Sequence, residues 1–325
     1  MLVTIVRRRR HPSPGHIGAS GGGLSGSGSI IPVRHVYECP MRWADLDLLG
    51  HVNNVVYVDY LQEARVDLLR HHGPTASTED GLVEGVVVVR QQVQYLARLT
   101  YRFRPVSIEV WVTEIRAASF TMAYEVFHET DQGRTVYARA STVLTPYVFA
   151  TETPRRLTAE ERQALEAYFE PADSVRPVRP AEPLRERLGH YPVQVRFSDV
   201  DVYGHVNNVK YFEYFMEARI LMTARLWKGV PEEPPEGTPA PVFVVAQTNV
   251  DYRMPILFRQ EAYDAWSWIS HVGTTSTTIE SEICDGETVL SRARVVMVFF
   301  DQATGRPTPP PEAYHERLVA ATRTS

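Results

Sequence analysis

Two aspartates two residues apart, followed by a glycine, a histidine and a pair of asparagines, occur twice in the chain. Asp45 and Asp47 lead into Gly50, His51, Val52, Asn53 and Asn54; Asp199 and Asp201 lead into Gly204, His205, Val206, Asn207 and Asn208. Each set lies just ahead of a segment with helical periodicity. A carboxylate at the lip of such a loop is ionised at neutral pH. It can act on a carbonyl carbon as a general base for water or as a nucleophile forming a mixed anhydride. The helix start supplies free backbone N–H groups and the positive end of the dipole, both suited to polarising a carbonyl oxygen. Gly50 and Gly204 carry no Cβ and let a substrate come close to the backbone. His51 and His205 can orient water, assist the carboxylate, or bond backbone near the helix start. Asn53, Asn54, Asn207 and Asn208 suit helix capping. Asp45 and Asp199 fit a turn or a salt bridge with Arg42 and Arg196. Asp45, Asp47 and His51 would also suit a metal ion, but no further His or Cys at ligand spacing completes a set, so neither a metal nor a cofactor is expected.

These residues belong to a longer repeat. Residues Arg42 to Arg65 and Arg196 to Arg219 align without a gap, with 14 of 24 positions identical, which makes the chain a tandem duplication. Weaker matches follow: Val93 to Tyr95 over Val250 to Tyr252, Trp111 over Trp268, and Ala138 to Ala140 over Ser291 to Ala293. In each copy a strand, over 33–42 or 191–197, precedes the signature. A long amphipathic helix follows, marked by Tyr57, Tyr60, Leu61, Ala64 and Leu68 and by Tyr211, Tyr214, Phe215, Ala218 and Met222. The tyrosines of this stripe are expected mainly in the core. Glu63 with Arg65 and Glu217 with Arg219 are expected to form ion pairs between helices or from helix to loop. Four strands follow, over 84–96, 106–116, 119–129 and 135–148, and over 241–252, 261–271, 275–284 and 287–300. Asp285-Gly286 marks a hairpin turn. A short helix over 158–169 and a Pro- and Arg-rich connector separate the copies. The fold class is α+β, with one long helix per copy wrapped by a curved antiparallel sheet.

Composition narrows the partners. The net charge of -5 and a single basic run, Arg7 to Arg10, argue against nucleic acid. Cys39 and Cys284 are the only cysteines and provide no disulfide framework, so a cytoplasmic location is expected. No segment has the run of about 18 apolar residues that a membrane helix needs, so no membrane partner is expected. The Gly- and Ser-rich stretch after Arg10 lacks the apolar run of a signal peptide and reads as a disordered tail over 1–32.

With its Asp-x-Asp-x-x-Gly-His-Val-Asn-Asn segment and the tyrosines that follow, each copy resembles the hotdog-fold acyl thioesterases. The likeness is to the 4-hydroxybenzoyl-CoA thioesterase-like enzymes and, in the His-Val-Asn-Asn detail, to the acyl-acyl-carrier-protein thioesterases of plants and bacteria. The resemblance implies two hotdog domains, over 33–170 and 190–325 with a linker over 171–189. They would pair sheet to sheet as an intrachain pseudo-dimer with the long helices side by side and active sites at the junction. It implies hydrolysis of an acyl-CoA, fatty or aromatic, to free acid and CoA, a step of lipid metabolism. Asp47 and Asp201 would be the catalytic carboxylates, with His51 and His205 beside them. Gly50, Val52, Asn53, Asn54, Gly204, Val206, Asn207 and Asn208 would bind substrate. Arg98, Arg102, Arg253 and Arg259 are basic side chains near which CoA could lie.

Plant carrier-protein thioesterases place an Asn two residues after the catalytic Asp, where Leu49 and Tyr203 stand here; that departure argues against their catalytic network. Acyl-carrier-protein thioesters and a non-catalytic acyl-CoA-binding role are the alternatives. A dehydratase would need an Asp-x-Asn-Pro-x-x-His segment, and the sequence has none. Both sites are expected to be competent but unequal, and the two-domain chain could itself form a homodimer.

Overall fold

In the computed structural model, residues 33–72, 84–172, 180–229, 242–301 and 304–322 are described. The expected tail, residues 1–32, and the middle of the connector, residues 173–179, lie outside them.

The first copy runs β1 (His35–Cys39), α1 (Val56–His72), β2 (Glu84–Tyr95), β3 (Val106–Ile115), β4 (Phe120–Thr130), β5 (Gly133–Val148), β6 (Thr153–Pro154) and α2 (Ala159–Glu166). The second repeats the order as β7 (His190–Val193), α3 (Asn208–Leu226), β8 (Val242–Tyr252), β9 (Tyr263–Val272), β10 (Ser276–Asp285), β11 (Thr288–Asp301), β12 (Arg306–Pro307) and α4 (Glu312–Ala320). The sequence reading finds every long strand and both long helices to within a few residues. It finds no helix at α4, where prolines 309 to 311 precede the segment and no clear repeat marks it. The strand expected over 191–197 stops at Val193 because a 3-10 turn, Phe197–Asp199, follows closely.

All the long strands join one antiparallel sheet in the order β1-β3-β4-β5-β2-β8-β11-β10-β9-β7, with β6 added to β5 and β12 to β11. The halves meet where β2 pairs with β8, from Arg90 opposite Asp251 to Gln94 opposite Gln247. An Arg90–Asp251 ion pair crosses this seam. The two tandem hotdog units thus form the expected intrachain pseudo-dimer. Alternation along the strands turns Val106, Ile108, Val110 and Val112 to one face of β3, where α1 buries Val58, Leu61 and Ala64. Helix α1 lies over β1 and β3, α3 over β7 and β9, and the two helices touch. The signature tyrosines Tyr57, Tyr60, Tyr211 and Tyr214 are buried in this core, as expected.

Strand register shows where the copies diverge. In the first, Val86 faces Pro146 and Val88 faces Leu144, just before the β2 bulge. At the same ladder positions of the second, Phe243 faces Phe299 and Val245 faces Met297. The two phenyl rings meet edge to face with centroids 5.9 Å apart. Phe299, Met297, Met222, Leu226 and Leu318 form a separate apolar cluster under α3 and α4. The second copy therefore fills with aromatic and thioether side chains a volume that the first leaves to Val and Pro.

Truncating Phe299 to Ala removes a ring that is 2% exposed. We expect it to lower stability by about 3–5 kcal/mol, the usual cost of an aromatic-to-alanine cavity, measured by urea denaturation against wild type.

Candidate active site

Each signature is a tight loop closed on its own backbone. The Asp47 N–H donates to the His51 carbonyl (2.7 Å) and the Gly50 N–H to the Asp47 carbonyl (3.0 Å); Asp201, His205 and Gly204 repeat this at 2.8 and 3.1 Å. The reversal puts Gly50 at φ +74° and Gly204 at φ +82°, the left-handed region where glycine is unstrained. A Cβ on either would meet no protein atom within 4 Å. The glycines answer to backbone conformation, and Gly204 is not part of the cavity wall described below.

The first aspartate of each pair anchors the loop. Asp45 accepts from the Tyr60 hydroxyl (2.5 Å), the Arg42 backbone N–H (2.7 Å) and Arg42 Nε (2.9 Å). Asp199 accepts from Tyr214 (2.7 Å), the Arg196 N–H (2.9 Å) and Arg196 Nε (3.2 Å). Burial pushes the Asp199 carboxyl up, but the bonds from Tyr214 and Arg196 outweigh it and hold the group below the usual carboxylate range. These are the salt-bridged turns expected for Asp45 and Asp199.

The second aspartate is held by backbone N–H groups of its own loop. Asp47 Oδ1 accepts from the backbone N–H groups of Leu49 (2.8 Å) and His51 (3.2 Å). Asp201 Oδ1 accepts from the Tyr203 N–H at 2.9 Å, and the His205 N–H also bonds the carboxylate. Burial raises the Asp201 carboxyl above its ordinary value, against those two N–H bonds and the nearby His205. Such a carboxylate is a stronger base than a solvated one.

The other signature residues divide by what they bond. Val52 and Val206 are buried and spend their N–H groups on the Leu99 and Ile256 carbonyls. Asn53 and Asn207 turn their side-chain oxygens to the N–H groups of Val55 and Val209, the capping role expected of them. Tyr95 and Tyr252 donate to the carbonyls of Asn54 and Asn208 (2.8 and 2.9 Å), fixing each helix start to the sheet. Asn208 Nδ2 is left buried without a partner.

A cavity of about 1120 Å³ lies across the junction. The first copy contributes Gln62, Arg65, Val66, Leu68 and Leu69 of α1, residues 85–89 of β2, Pro146 and Tyr147 of β5, Phe149 just after it, and Ala164 and Leu165 of α2. The second contributes Asp201, Tyr203, His205, Val206, Asn207 and Asn208, with Tyr211 and Tyr252 to Pro255. Asp47, His51, Gly50, Val52, Asn53 and Asn54 are not on this wall. The Tyr203 ring stacks flat on Phe149, centroids 3.9 Å apart, and ties the Asp201 loop to the opposite copy. Gly85 makes room, since a Cβ there would come within 2.9 Å of the Phe149 ring and 3.1 Å of the Tyr203 hydroxyl. Leu49, the counterpart of Tyr203, is exposed.

Sequence reasoning missed Arg65 and Phe149. The expected ion pairs of Glu63 with Arg65 and Glu217 with Arg219 do not form among the described residues. Both arginines point into the interior, and burial lowers Arg219 to about 10. Of the candidate CoA-binding arginines, Arg253 lies on the cavity rim and Arg98 stacks over Phe300. Arg259 is taken up by Asp285 and the Tyr263 ring. Arg102 lies near His128, away from the cavity wall. No helix among the described residues is long and apolar enough to cross a membrane.

Two copies of a helix wrapped by an antiparallel sheet, fused edge to edge with a carboxylate loop at the seam, define a tandem hotdog protein. The chain belongs to the thioesterase-like superfamily, whose family model matches residues 41–183 and 195–318, and it is a thioester hydrolase. It is 34% identical over 116 residues to the uncharacterised protein YsmA of Bacillus subtilis, a match covering 35% of this chain and 74% of that protein. In fold it is similar to a Lactobacillus plantarum protein designated an oleoyl thioesterase, with TM-score 0.67 and 14% identity over 84% of this chain and 99% of the other. It is also similar to the 12:0-ACP thioesterase of Umbellularia californica, with TM-score 0.62 and 16% identity over 82% and 94%.

Replacing Tyr214 with Phe strips a donor from a buried carboxylate and is expected to cost about 1–3 kcal/mol. Asp199 titrates lower in the folded state than in the unfolded chain. Its contribution is present above the unfolded pKa and lost as pH falls through the folded one. In Tyr214→Phe the folded pKa rises toward the unfolded value, so acid unfolding followed by circular dichroism should begin at higher pH than in wild type.

Proposed function

We propose that the chain hydrolyses acyl-CoA thioesters at the Asp201 loop, with the acyl group in the junction cavity. The observation that carries this reading is the position of Asp201. It is a half-buried carboxylate on the wall of a large, mainly apolar cavity, beside the first turn of α3 and the unpartnered Asn208 Nδ2. Held by the backbone N–H groups of Tyr203 and His205, the carboxylate keeps lone pairs to take a proton from water or to attack the carbonyl carbon itself. The start of α3 and Asn208 Nδ2 supply hydrogen-bond donors for the oxygen that gains charge. His205, on the same wall, orients water or steadies the carboxylate. Either water displaces the CoA thiolate directly, or Asp201 displaces it and water then cleaves the mixed anhydride; the thiolate leaves as the thiol, taking up the proton released from water, and the free acid is released. Single turnover in oxygen-18 water separates the two routes, because only direct attack leaves label in the Asp201 side chain.

The Asp47 loop carries the same residues without this cavity, and we assign turnover to Asp201. Measuring thiol release from a panel of acyl-CoAs, we expect Asp201→Ala to lose about 10²–10⁴-fold in kcat, the usual contribution of a catalytic base, and Asp47→Ala to lose far less. Equal losses, or no loss in the double variant, would sink the assignment. Carrier-protein thioesters are the second reading, suggested by the likeness in fold to the 12:0-ACP thioesterase. They would show as a higher kcat/KM for an acyl-carrier protein than for the matching acyl-CoA.

Because the base must be ionised, the acid limb of kcat/KM should rise with an apparent pKa above the ordinary carboxylate value. Tyr203→Ala removes the ring that stacks over this loop and admits water. It should move that limb to lower pH.

A further inference from the structure

A buried cation on the cavity wall has no counterion among the described residues. Arg65 is 5% exposed, lines the cavity, and has Nη1 buried without a hydrogen-bond partner. Its neighbours on the wall are differently placed. Arg155 is gripped by Glu161 through two bonds of 2.8 and 2.7 Å, and Arg253 stands exposed at the rim. A guanidinium withdrawn from water without an anion is costly, and an anion that enters its pocket recovers that cost. Its planar fork matches a carboxylate.

The position of Arg65 says which carboxylate. Asp201 and His205 reach the cavity from the loop of the second copy, whereas Arg65 reaches it from α1 of the first. Arg65 also sits on the face of α1 that carries Gln62, Val66 and Leu69, which form the wall of the cavity on the first copy's side. It therefore belongs to the wall that receives the acyl group, not to the loop that carries the reacting groups. Arg219, its counterpart in the repeat, is equally buried but lies off the cavity wall and serves as an internal control.

Building on the thioesterase reading above, we infer that the cavity takes acyl groups that carry a second carboxylate, held by Arg65, so that the preferred substrates are half-thioesters of dicarboxylic acids. The test compares CoA thioesters of dicarboxylic and monocarboxylic acids of matched chain length, over a range of lengths. At the best length, wild type should prefer the carboxylated substrate in kcat/KM by about tenfold or more, as expected for a charge-assisted pair in a buried site. Arg65→Met, which keeps the packing and removes the charge, should collapse that ratio. Arg65→Lys should keep part of it, and Arg219→Met should leave it within about twofold. A wild-type preference for the plain acyl chain, or a ratio that survives Arg65→Met, overturns the inference. Calorimetric binding of the free acids to wild type and to Arg65→Met probes the same contact without turnover: the dicarboxylate should bind more tightly, and only when Arg65 is present. If no thioester is hydrolysed but the dicarboxylate still binds through Arg65, the thioesterase reading fails, and with it the substrate assignment, while the carboxylate site at Arg65 stands.

Discussion

The pairing of β2 with β8 is the constraint on which everything else rests. Without it each half has an open sheet edge and half a cavity wall. With it, the ladder from Arg90 opposite Asp251 to Gln94 opposite Gln247 turns two curved sheets into one and sets α1 beside α3. The Asp201 loop and much of the cavity wall come from different copies, so the cavity exists only as a property of the seam. Tyr95 and Tyr252, the last residues of β2 and β8, carry the constraint onward through hydroxyl bonds to the carbonyls of Asn54 and Asn208. The sheet thereby fixes where each helix begins, and with it where the N–H groups of its first turn lie.

Within that frame the two signatures share a scaffold and differ in what surrounds it. Asp45 with Tyr60 and Arg42, and Asp199 with Tyr214 and Arg196, hold identical turns. Asp47 and Asp201 accept from the same pair of backbone positions. The differences come from the opposite copy. Val86 and Pro146 leave room in front of Asp201, whereas Phe243 and Phe299 occupy the related positions on the other side. Tyr203 reaches Phe149, whereas Leu49 points to solvent.

This explains what could and could not be read in the sequence. Identical segments and regular apolar spacing report local structure, so the helices, the long strands, the turn aspartates and the capping asparagines were legible. The fate of Arg65 was not: a charged residue at helical spacing beside Glu63 looks like half of an ion pair, and only the packing of α1 against the other copy buries it alone. Nor could Val86 be told from Phe243 as a wall or a plug, since both are apolar residues on strands. Helix α4 escaped because its segment lacks the strong repeat that exposed everything before it.

The covalent join between the copies has a consequence for how such a protein can change. In a dimer of identical subunits every substitution appears twice, so a phenylalanine that closes one pocket closes both. In a single chain the two positions are separate codons. Phe243 and Phe299 can stiffen one half while Val86 and Pro146 keep the other open, and the more filled half is free to serve as the support for the more open one.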